Sequence, residues 1–289
     1  MENLEITGHT GLLCLLGSPV RHSVSPQMHN EAFRLLGLDY RYMAFDVTPD
    51  ALQTAVDGLR TLGALGWNLT MPLKTAMVPL CDELTLSAEL CGAVNTVVNR
   101  DGRLTGTTTD GLGWVLSAKA AGHDITGKHL TILGAGGAGS SVLAQCALDG
   151  ADGIDVFKRK NDTWDGVAAF VARVREKTGC EVELHDMADR DALRGCLAAS
   201  DLLLNTTPVG MRNTPGCLIP DESYLHGSLA VADAIYEPRE TELLRMARGA
   251  GLDAFNGMYM LLYQGAAAFA FWTGREMPVD AIKEKYFSK

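Results

Sequence analysis

The stretch Thr131–Gly139, TILGAGGAG, decides the fold of the second half of this chain. Its first three residues continue an apolar run typical of a buried strand, and Ser140–Leu148 has the pattern of a helix. In the G-x-G-x-x-G motif between them, Gly134 permits a tight turn, Gly136 lets a pyrophosphate approach, and Gly139 allows the helix to pack closely. The N–H groups that begin the helix then hold phosphate. An ordinary glycine-rich turn is the simpler alternative, but both flanks favour dinucleotide binding.

Composition and charge exclude several classes of protein. The chain has 289 residues, 47% of them hydrophobic, and a formal net charge of −10. The length suits one or two domains, and the acidic balance argues against a nucleic-acid or anionic-membrane partner. The seven cysteines include no C-x-x-C pair and the seven histidines no H-x-x-x-H pair. We therefore expect no disulfide framework and no metal, and we expect most cysteines to be buried thiols.

Neither end of the sequence has the pattern of a targeting or membrane segment. Met1–Thr10 is acidic and lacks an apolar core, so we expect no signal peptide. The longest apolar stretch, Met258–Trp272, is interrupted by Gln264 and Gly265 and is too short to span a bilayer. These features predict a core helix there and a cytoplasmic protein.

Two series of alternating strands and helices predict two α/β domains. The first series begins at Gly11, includes a helix from about Lys74, and ends in a hairpin at Asp101-Gly102. In the second series the predicted strands are 129–133, 154–157, 181–185, 202–205 and 229–232. Repeated βαβ units imply a parallel sheet.

The predicted domain boundaries follow from this alternation. We assign residues 1–112 to a substrate-binding domain and 113–254 to a Rossmann-type dinucleotide-binding domain. Residues 255–289 are expected to form helices that pack back on the first domain. The active site is expected in the cleft between the two domains.

Polar side chains follow several predicted strands of the first domain. Ser23 and Ser25 precede a helix and could bind a carboxylate, although a helix N-cap formed by Ser25 is the simpler interpretation. Lys74 is expected one turn past Pro72, at a strand-to-helix junction where α/β proteins form their sites; a lone lysine is otherwise usually solvated. Asp110 is either an N-cap or a functional carboxylate.

Eight motifs occur in order over nearly the whole chain: H-S-V-S-P, N-L-T-M-P-L-K, D-E-L-T, G-A-V-N-T, T-D-G, G-A-G-G-A-G, D-A-I-Y-E-P-x-x-T-x-L-L and N-G-M-x-M-L-L-Y-Q-G. Together they resemble the shikimate dehydrogenase family. The M-P-x-K form and the F-K-R-K segment are more similar to its quinate/shikimate dehydrogenase branch.

The resemblance implies a role for each matching residue in substrate binding. Lys74 and Asp110 would be the catalytic pair that handles the proton. Ser23 and Ser25, with Tyr236 nearby, would bind the substrate carboxylate. The ring hydroxyls would be bound by Thr70, Asn95, Asp110 and Gln264.

It also implies where a nicotinamide cofactor binds. The pyrophosphate would lie on Gly134, Ala135, Gly136, Gly137 and Ala138. The adenosine ribose would meet Lys158, Arg159, Lys160 and Asn161. The nicotinamide would lie against Ala234 and Gly257.

The end of the second strand of the dinucleotide-binding domain bears on cofactor choice. NAD-specific folds place an Asp or Glu there, about 20 residues past the glycine loop, but the segment Phe157–Lys160 has no carboxylate. Three successive cations suit a 2′-phosphate, which Arg159 could bind bidentately. We therefore predict NADP as the better cofactor, with NAD also usable. A basic solvated turn is the simpler alternative, and Asn161 or Asp162 could reach a 2′-hydroxyl instead.

The implied activity is the reversible NAD(P)-dependent interconversion of shikimate and 3-dehydroshikimate in the chorismate pathway, with quinate and 3-dehydroquinate as a further pair. One alternative is a dehydrogenase for a related cyclitol acid such as an amino-shikimate. The other is a non-catalytic metabolite-sensing module, which would be expected to lose Lys74 or Asp110 or to carry a DNA-binding segment. The sequence shows neither change, and it leaves a monomer and a homodimer equally open.

Overall fold

The structure is a computed structural model that describes residues 5–287. It contains two compact units. The first comprises the chain up to Thr109 together with the chain from Leu262 onward, and the second comprises Asp110–Leu261. Both units are α/β, as the sequence predicts.

The first unit is built from six strands and three helices that precede residue 110, and from C-terminal helices. The strands are β1 (Gly11–Gly17), β2 (Tyr40–Asp46), β3 (Gly66–Leu69), β4 (Glu83–Leu84), β5 (Thr96–Arg100) and β6 (Arg103–Thr107). The helices are α1 (Ser25–Leu36), α2 (Leu52–Thr61) and α3 (Leu86–Cys91).

The second unit contains six further strands. These are β7 (His129–Leu133), β8 (Gly153–Lys158), β9 (Glu181–Asp186), β10 (Leu202–Asn205), β11 (Ala230–Asp233) and β12 (Ala254–Asn256). Its helices are α4 (Asp110–Ala120), α5 (Gly137–Leu148), α6 (Trp164–Thr178), α7 (Arg190–Ala199) and α8 (Glu242–Gly249). Helix α9 (Met258–Thr273) begins in this unit and continues in the first, which also contains α10 (Val279–Tyr286).

The sheet of the first unit is mixed, with strand order β2-β1-β3-β5-β6-β4. Strand β1 is parallel to β2 and β3, whereas β5 is antiparallel to both β3 and β6. The predicted hairpin joins β5 to β6, and its turn residues Asp101 and Gly102 have φ of 54° and 88°. Asp-Gly suits this turn because both central residues must take positive φ.

The sheet of the second unit has the order β12-β11-β10-β7-β8-β9, and all neighbours are parallel. Numbered within this unit, the order is 6-5-4-1-2-3, which is that of dinucleotide-binding folds. From β7 the chain first adds β8 and β9 on one side, and from β10 onward it adds strands on the other side, so the direction of strand order changes between β7 and β10. The predicted parallel Rossmann-type sheet is confirmed, and the chain turns from β7 into α5 at the point where such folds bind their ligand.

The helix predicted from about Lys74 does not form. After β3 the chain makes a series of turns and then one 3-10 turn at Val78–Leu80. Proline explains the difference, because Pro79 lacks a backbone N–H and disfavours helical dihedrals at Val78. The interval from Pro72 to Pro79 leaves too little chain for a stable helix, so Lys74 lies in a turn.

All seven cysteines are free thiols, but only Cys14, Cys146 and Cys180 are fully buried. The expectation that most would be buried is therefore wrong, since the other four are half-buried. Within residues 5–287, no helix combines the length and the apolar character needed to cross a membrane.

Candidate active site

A chain of buried side-chain hydrogen bonds links the polar motifs of the first unit. Ser25 is hydrogen-bonded to Tyr42, whose hydroxyl donates to Oδ1 of Asn68 at 2.6 Å. The amide nitrogen of Asn68 donates to Oγ1 of Thr96 at 2.9 Å. Burial raises the pKa of Tyr42, so the hydroxyl stays protonated and remains a donor. We call Ser25, Tyr42, Asn68, Thr96 and Asn95 the buried polar chain.

The buried polar chain ends at the side chain of Asn95. Its Oδ1 accepts from Oγ1 of Thr96 at 2.9 Å, and from N and Oγ1 of Thr109 at 2.9 and 3.2 Å. These donors fix Oδ1 as the acceptor end of the amide, because an amide nitrogen there would face N–H and O–H groups. The orientation of Asn95 is therefore set by its neighbours before any ligand binds.

Lys74 is held next to this residue by the backbone. Its carbonyl accepts a 2.9 Å hydrogen bond from N of Val94, which directly precedes Asn95. The side chains of Leu73 and Met77 on either side are fully buried and anchor the turn. A half-buried lysine is thereby held by its backbone beside the start of β5, which Asn95 directly precedes.

Thr70 lies at the end of β3, where its N–H donates to the carbonyl of Leu16 at 2.9 Å. Gly17 makes room for it, because a Cβ at that position would collide with the methyl group of Thr70. The strand ends of β1 and β3 thus meet at Thr70.

The two serines do not form the helix cap considered above. Ser25 is the first residue of α1, and Val24 occupies the N-cap position without a side-chain hydrogen bond. Oγ of Ser23 instead accepts the N–H of Ser25 at 3.2 Å, while the Ser25 side chain bonds to Tyr42. The cap interpretation of Ser25 is wrong because Ser25 already lies in the first turn of α1 and Val24 takes the N-cap position.

The remaining predicted substrate residues lie in several elements. Asp110 is the first residue of α4 in the second unit. Gln264 lies on α9 within the first unit, and the next residue, Gly265, allows α9 to pack directly on Met28 of α1. Tyr236 follows β11 in the second unit and is 54% exposed.

The glycine loop combines close packing on one side with open space on the other. Gly134 has φ of 99°, and a Cβ on Gly139 would lie 2.5 Å from Oγ1 of Thr206 and 2.6 Å from the carbonyl oxygen of Gly134. By contrast, a Cβ on Gly136 or Gly137 would meet no atom within 4 Å. Ala135 and Ala138 complete the loop at the start of α5. The open side and the helix N-terminus suit a pyrophosphate.

The three cations at the end of β8, Lys158 to Lys160, differ in their surroundings. Lys158 is buried, and its ammonium group donates to the carbonyl of Arg159 at 3.1 Å and to Oδ1 of Asn161 at 2.5 Å. Nζ of Lys160 lies 5.5 Å from the ring centre of Trp164. Arg159 is exposed. Lys158 and Asn161 are therefore bonded to each other within the loop, whereas Arg159 and Lys160 are exposed.

The predicted nicotinamide residues, Ala234 and Gly257, lie in contact, because a Cβ on Gly257 would overlap the backbone of Ala234. The adjacent residue Asp233 is buried at the end of β11. It accepts from N of Ile235 at 3.0 Å and from Oγ1 of Thr241 at 2.7 Å. Burial raises the pKa of Asp233 to about 6, although these hydrogen bonds oppose the rise. This network fixes the loop that carries Ala234.

Comparisons with known proteins match this arrangement. The family model for the shikimate dehydrogenase substrate binding domain matches residues 15–97, and that for the shikimate 5′-dehydrogenase C-terminal domain matches residues 257–285. A shikimate dehydrogenase (NADP(+)) from Listeria innocua is 48% identical over 283 residues, which cover 98% of this chain and 97% of the relative. The chain belongs to the shikimate dehydrogenase family. As a member of this family it is an NAD(P)-dependent oxidoreductase.

Solved structures of shikimate dehydrogenase relatives share the whole fold. The crystal structure of shikimate 5-dehydrogenase from Listeria monocytogenes, in complex with shikimate and NAD, has 47% identity and a TM-score of 0.94, covering 98% of both chains. Quinate dehydrogenase from Corynebacterium glutamicum in complex with NAD has 31% identity and a TM-score of 0.84, covering 97% of this chain and 99% of that chain. The fold is thus common to shikimate and quinate enzymes.

The structure adds residues to the site of this shikimate dehydrogenase family member that the sequence analysis did not single out. Tyr42 and Asn68 connect Ser25 to Asn95, and Thr206 packs on the glycine loop, donating to the carbonyls of Leu133 and Gly134 at 2.9 and 3.1 Å. Alternation along β2 could have placed Tyr42 on the inner face. No local pattern indicates Thr206, which follows β10 and meets the loop only in the folded sheet.

Proposed function

We propose that the chain catalyses the reversible interconversion of shikimate and 3-dehydroshikimate with NADP as the preferred cofactor, and with NAD also usable. The observation that carries the proposal is the buried polar chain, which orients Asn95 beside the turn that holds Lys74. We propose that residues 1–112 and 255–289 bind the substrate and that residues 113–254 bind the cofactor. The protein would work in the cytoplasm, as a monomer or a homodimer, in aromatic amino acid synthesis.

The substrate carboxylate is bound by Ser23 and Ser25 in this proposal. Both hydroxyls lie at the start of α1, where the helix N-terminus also favours an anion. Tyr236 supplies a further hydroxyl. Because bonds to charged groups contribute about 1.5–3 kcal/mol each, this set would hold the substrate in one orientation.

The ring hydroxyls are bound by Thr70, Asn95, Asp110 and Gln264. Asn95 offers its amide nitrogen, since Oδ1 already accepts three hydrogen bonds. Asp110 accepts from the hydroxyl that reacts. Fixed donors and acceptors of this kind reject analogues that lack a matching hydroxyl.

Lys74 exchanges the proton of the reacting hydroxyl. A nicotinamide cofactor accepts or supplies the hydride. During oxidation the hydroxyl proton passes to the Lys74 amine while the C–H pair of electrons leaves with the hydride, so that a carbonyl remains. During reduction the Lys74 ammonium returns a proton to the carbonyl oxygen. Asp110 hydrogen-bonds the same oxygen and keeps it in line with the lysine.

Arg159 determines the preference for NADP. It is exposed directly after the end of β8, and unlike the neighbouring Lys160 it has a planar guanidinium that can bind a 2′-phosphate bidentately. Lys158 supports it by holding the loop through Arg159 and Asn161. Because no carboxylate occupies Phe157–Lys160, a 2′-phosphate meets no like charge there.

Purified protein is assayed for reduction of NADP and NAD with shikimate and with quinate, by following the absorbance of the reduced nicotinamide. We expect the highest kcat/KM for shikimate with NADP. The quinate dehydrogenase relative makes quinate the second candidate substrate. An amino-shikimate is assayed as the third candidate substrate. Absence of turnover with shikimate and either cofactor would refute the proposal, and binding of shikimate without turnover would favour a sensing module.

A further inference from the structure

A second group of chemically reactive side chains lies on the sheet of the second unit, outside the proposed active site. Asp155 is in the middle of β8, His185 near the end of β9, and Cys196 in α7. His129, the first residue of β7, reaches the same carboxylate. We call Asp155, His185 and Cys196 the Asp-His-Cys cluster. The proposed reaction uses none of these residues.

The donor atoms of the Asp-His-Cys cluster converge on one point. Nε2 of His185 lies 2.6 Å from Oδ1 of Asp155 and 3.9 Å from Sγ of Cys196. One ligand atom from each residue lies within 4.8 Å of the other two. Zinc with nitrogen and sulfur ligands at about 2.0 and 2.3 Å in a tetrahedron separates these two atoms by about 3.5 Å. The observed nitrogen–sulfur distance is within a few tenths of an ångström of this spacing. The 2.6 Å between Nε2 and Oδ1 is a direct hydrogen bond, which must lengthen when both atoms bind one cation.

The cluster is not arranged as a nucleophile–base–acid triad. In such a triad the acid holds one imidazole nitrogen and the nucleophile meets the other. Here Asp155 and Cys196 both approach Nε2 of His185. Burial, followed by the charge of Asp155, raises the pKa of the Cys196 thiol to about 12, which is the reverse of an activated cysteine. Convergence on a single nitrogen suits a shared cation instead.

The surroundings of the cluster favour a cation and give it access. Asp155, His185 and Cys196 line a cavity of about 350 Å³, together with the acidic residues Glu181 and Glu183. The carboxylate of Glu183 lies 3.8 Å from Nε2 of His185. The site therefore has excess negative charge, and a carboxylate oxygen of Glu183 is within reach as a fourth ligand.

His129 gives the carboxylate of Asp155 a second support. Its Nε2 donates to Oδ2 of Asp155 at 2.8 Å, leaving Oδ1 directed at the cluster. Gly153 makes room for the imidazole, because a Cβ there would lie 2.5 Å from Nδ1 of His129. Burial alone would raise the pKa of Asp155, but the hydrogen bonds from His129 and His185 outweigh it and hold the pKa below its usual range. Such outer partners are typical of metal-binding carboxylates.

We propose that Asp155, His185 and Cys196 bind a divalent transition-metal cation of the zinc class, with Glu183 or water as the fourth ligand. Thiolate, imidazole and carboxylate are the ligands that zinc takes in tetrahedral sites. The bound cation would connect β8, β9 and α7 and stabilise the cofactor-binding unit. It takes no part in hydride or proton transfer.

The experiment uses Co²⁺ as a spectroscopic probe of the full chain, followed by displacement with Zn²⁺. We expect one Co²⁺ per chain, a thiolate-to-cobalt charge-transfer band and the intense visible bands of a tetrahedral ion. Cys196→Ser should abolish the charge-transfer band and weaken binding more than about 100-fold, since loss of an outer partner already costs 10–100-fold. The matched control is Cys217→Ser, a half-buried cysteine of the same unit, which should bind as the unmodified protein does.

Zn²⁺ should also raise the Tm of the unmodified protein by several degrees and leave the Tm of Cys196→Ser unchanged. His185→Gln is the second variant, and it should lose the tetrahedral spectrum while keeping its thiol. Absence of a charge-transfer band in the unmodified protein would overturn the proposal even if both variants failed to fold. An equal band in Cys196→Ser would overturn it as well. Neither readout depends on turnover of shikimate.

Discussion

The proposed substrate-binding groups of the first unit differ in kind from the proposed cofactor-binding groups of the second. In the first unit, hydroxyls and amides such as Ser25 and Asn95 are oriented by other side chains through the buried polar chain. In the second unit, the glycine loop offers backbone N–H groups, and what matters at Gly136 and Gly137 is that no side chain is present. The proposed substrate site thus uses side chains, and the proposed pyrophosphate site uses backbone.

This difference predicts which kind of substitution damages each site. A side-chain site loses activity when atoms are removed, because each hydroxyl or amine has its own task. A backbone site is damaged when atoms are added, because an extra Cβ fills the space that a phosphate or a neighbouring strand needs. Substitutions of opposite kinds should therefore separate the two units.

The largest effect is expected for removal of the Lys74 amine. Lys74→Ala should lower kcat by about 10²–10⁴-fold, the range for a general acid–base group, with circular dichroism unchanged. Asp110→Asn should lower kcat similarly and also raise the KM for shikimate. Thr75→Ala, at the exposed neighbouring position, is the control. A rate for Lys74→Ala within about tenfold of the unmodified protein would remove the lysine from the proton-transfer role.

Adding one methyl group to the glycine loop should come next. Gly139→Ala forces a Cβ against Thr206 and the Gly134 carbonyl, and overpacking of this kind costs about 1–3 kcal/mol. We expect a lower Tm and weaker binding of both cofactors. Gly137→Ala is the matched variant, because its Cβ meets no protein atom. It should keep its Tm and change only cofactor KM, and equal Tm losses in the two variants would contradict this interpretation.

Removal of the two serine hydroxyls should act on binding more than on chemistry. Ser23→Ala combined with Ser25→Ala should raise the KM for shikimate more than tenfold, since one hydrogen bond to a charged group contributes about 1.5–3 kcal/mol. We expect a smaller change in kcat. Steady-state kinetics with shikimate measure both constants. An unchanged KM would mean that these serines support α1 and do not bind the substrate.

The smallest effect is expected at the end of β8, where binding again depends on a side chain. Arg159→Ala should raise the KM for NADP by about tenfold, equivalent to about 1.4 kcal/mol, and leave that for NAD unchanged. The control is Arg173→Ala, an exposed arginine on α6. Lys158→Ala should affect both cofactors, because its ammonium group holds the loop. If the unmodified protein has a higher kcat/KM with NAD than with NADP, the 2′-phosphate assignment is wrong.

Much of the fold is readable in the sequence because it depends on local pattern. The strand–turn–helix at Thr131–Gly139, the parallel strands that follow and the Asp101-Gly102 hairpin all agree with the structure. Each depends on residues close together in the chain: apolar runs, glycines with positive φ, and turn residues. The helix predicted from Lys74 failed because Pro79 outweighed the local pattern.

The sequence by itself determined the family and which residues are candidates for the site. Only the tertiary structure decided their partners: Tyr42 bonds to Asn68, 26 positions away, and Lys158 is buried and bonded to Asn161 of its own loop. His185 meets Asp155 across 30 positions, and no short motif encodes such a pair. The physical reason is that hydrogen bonds between strands depend on sheet order and register, which join residues far apart in the chain, whereas helix and turn formation depends on neighbours.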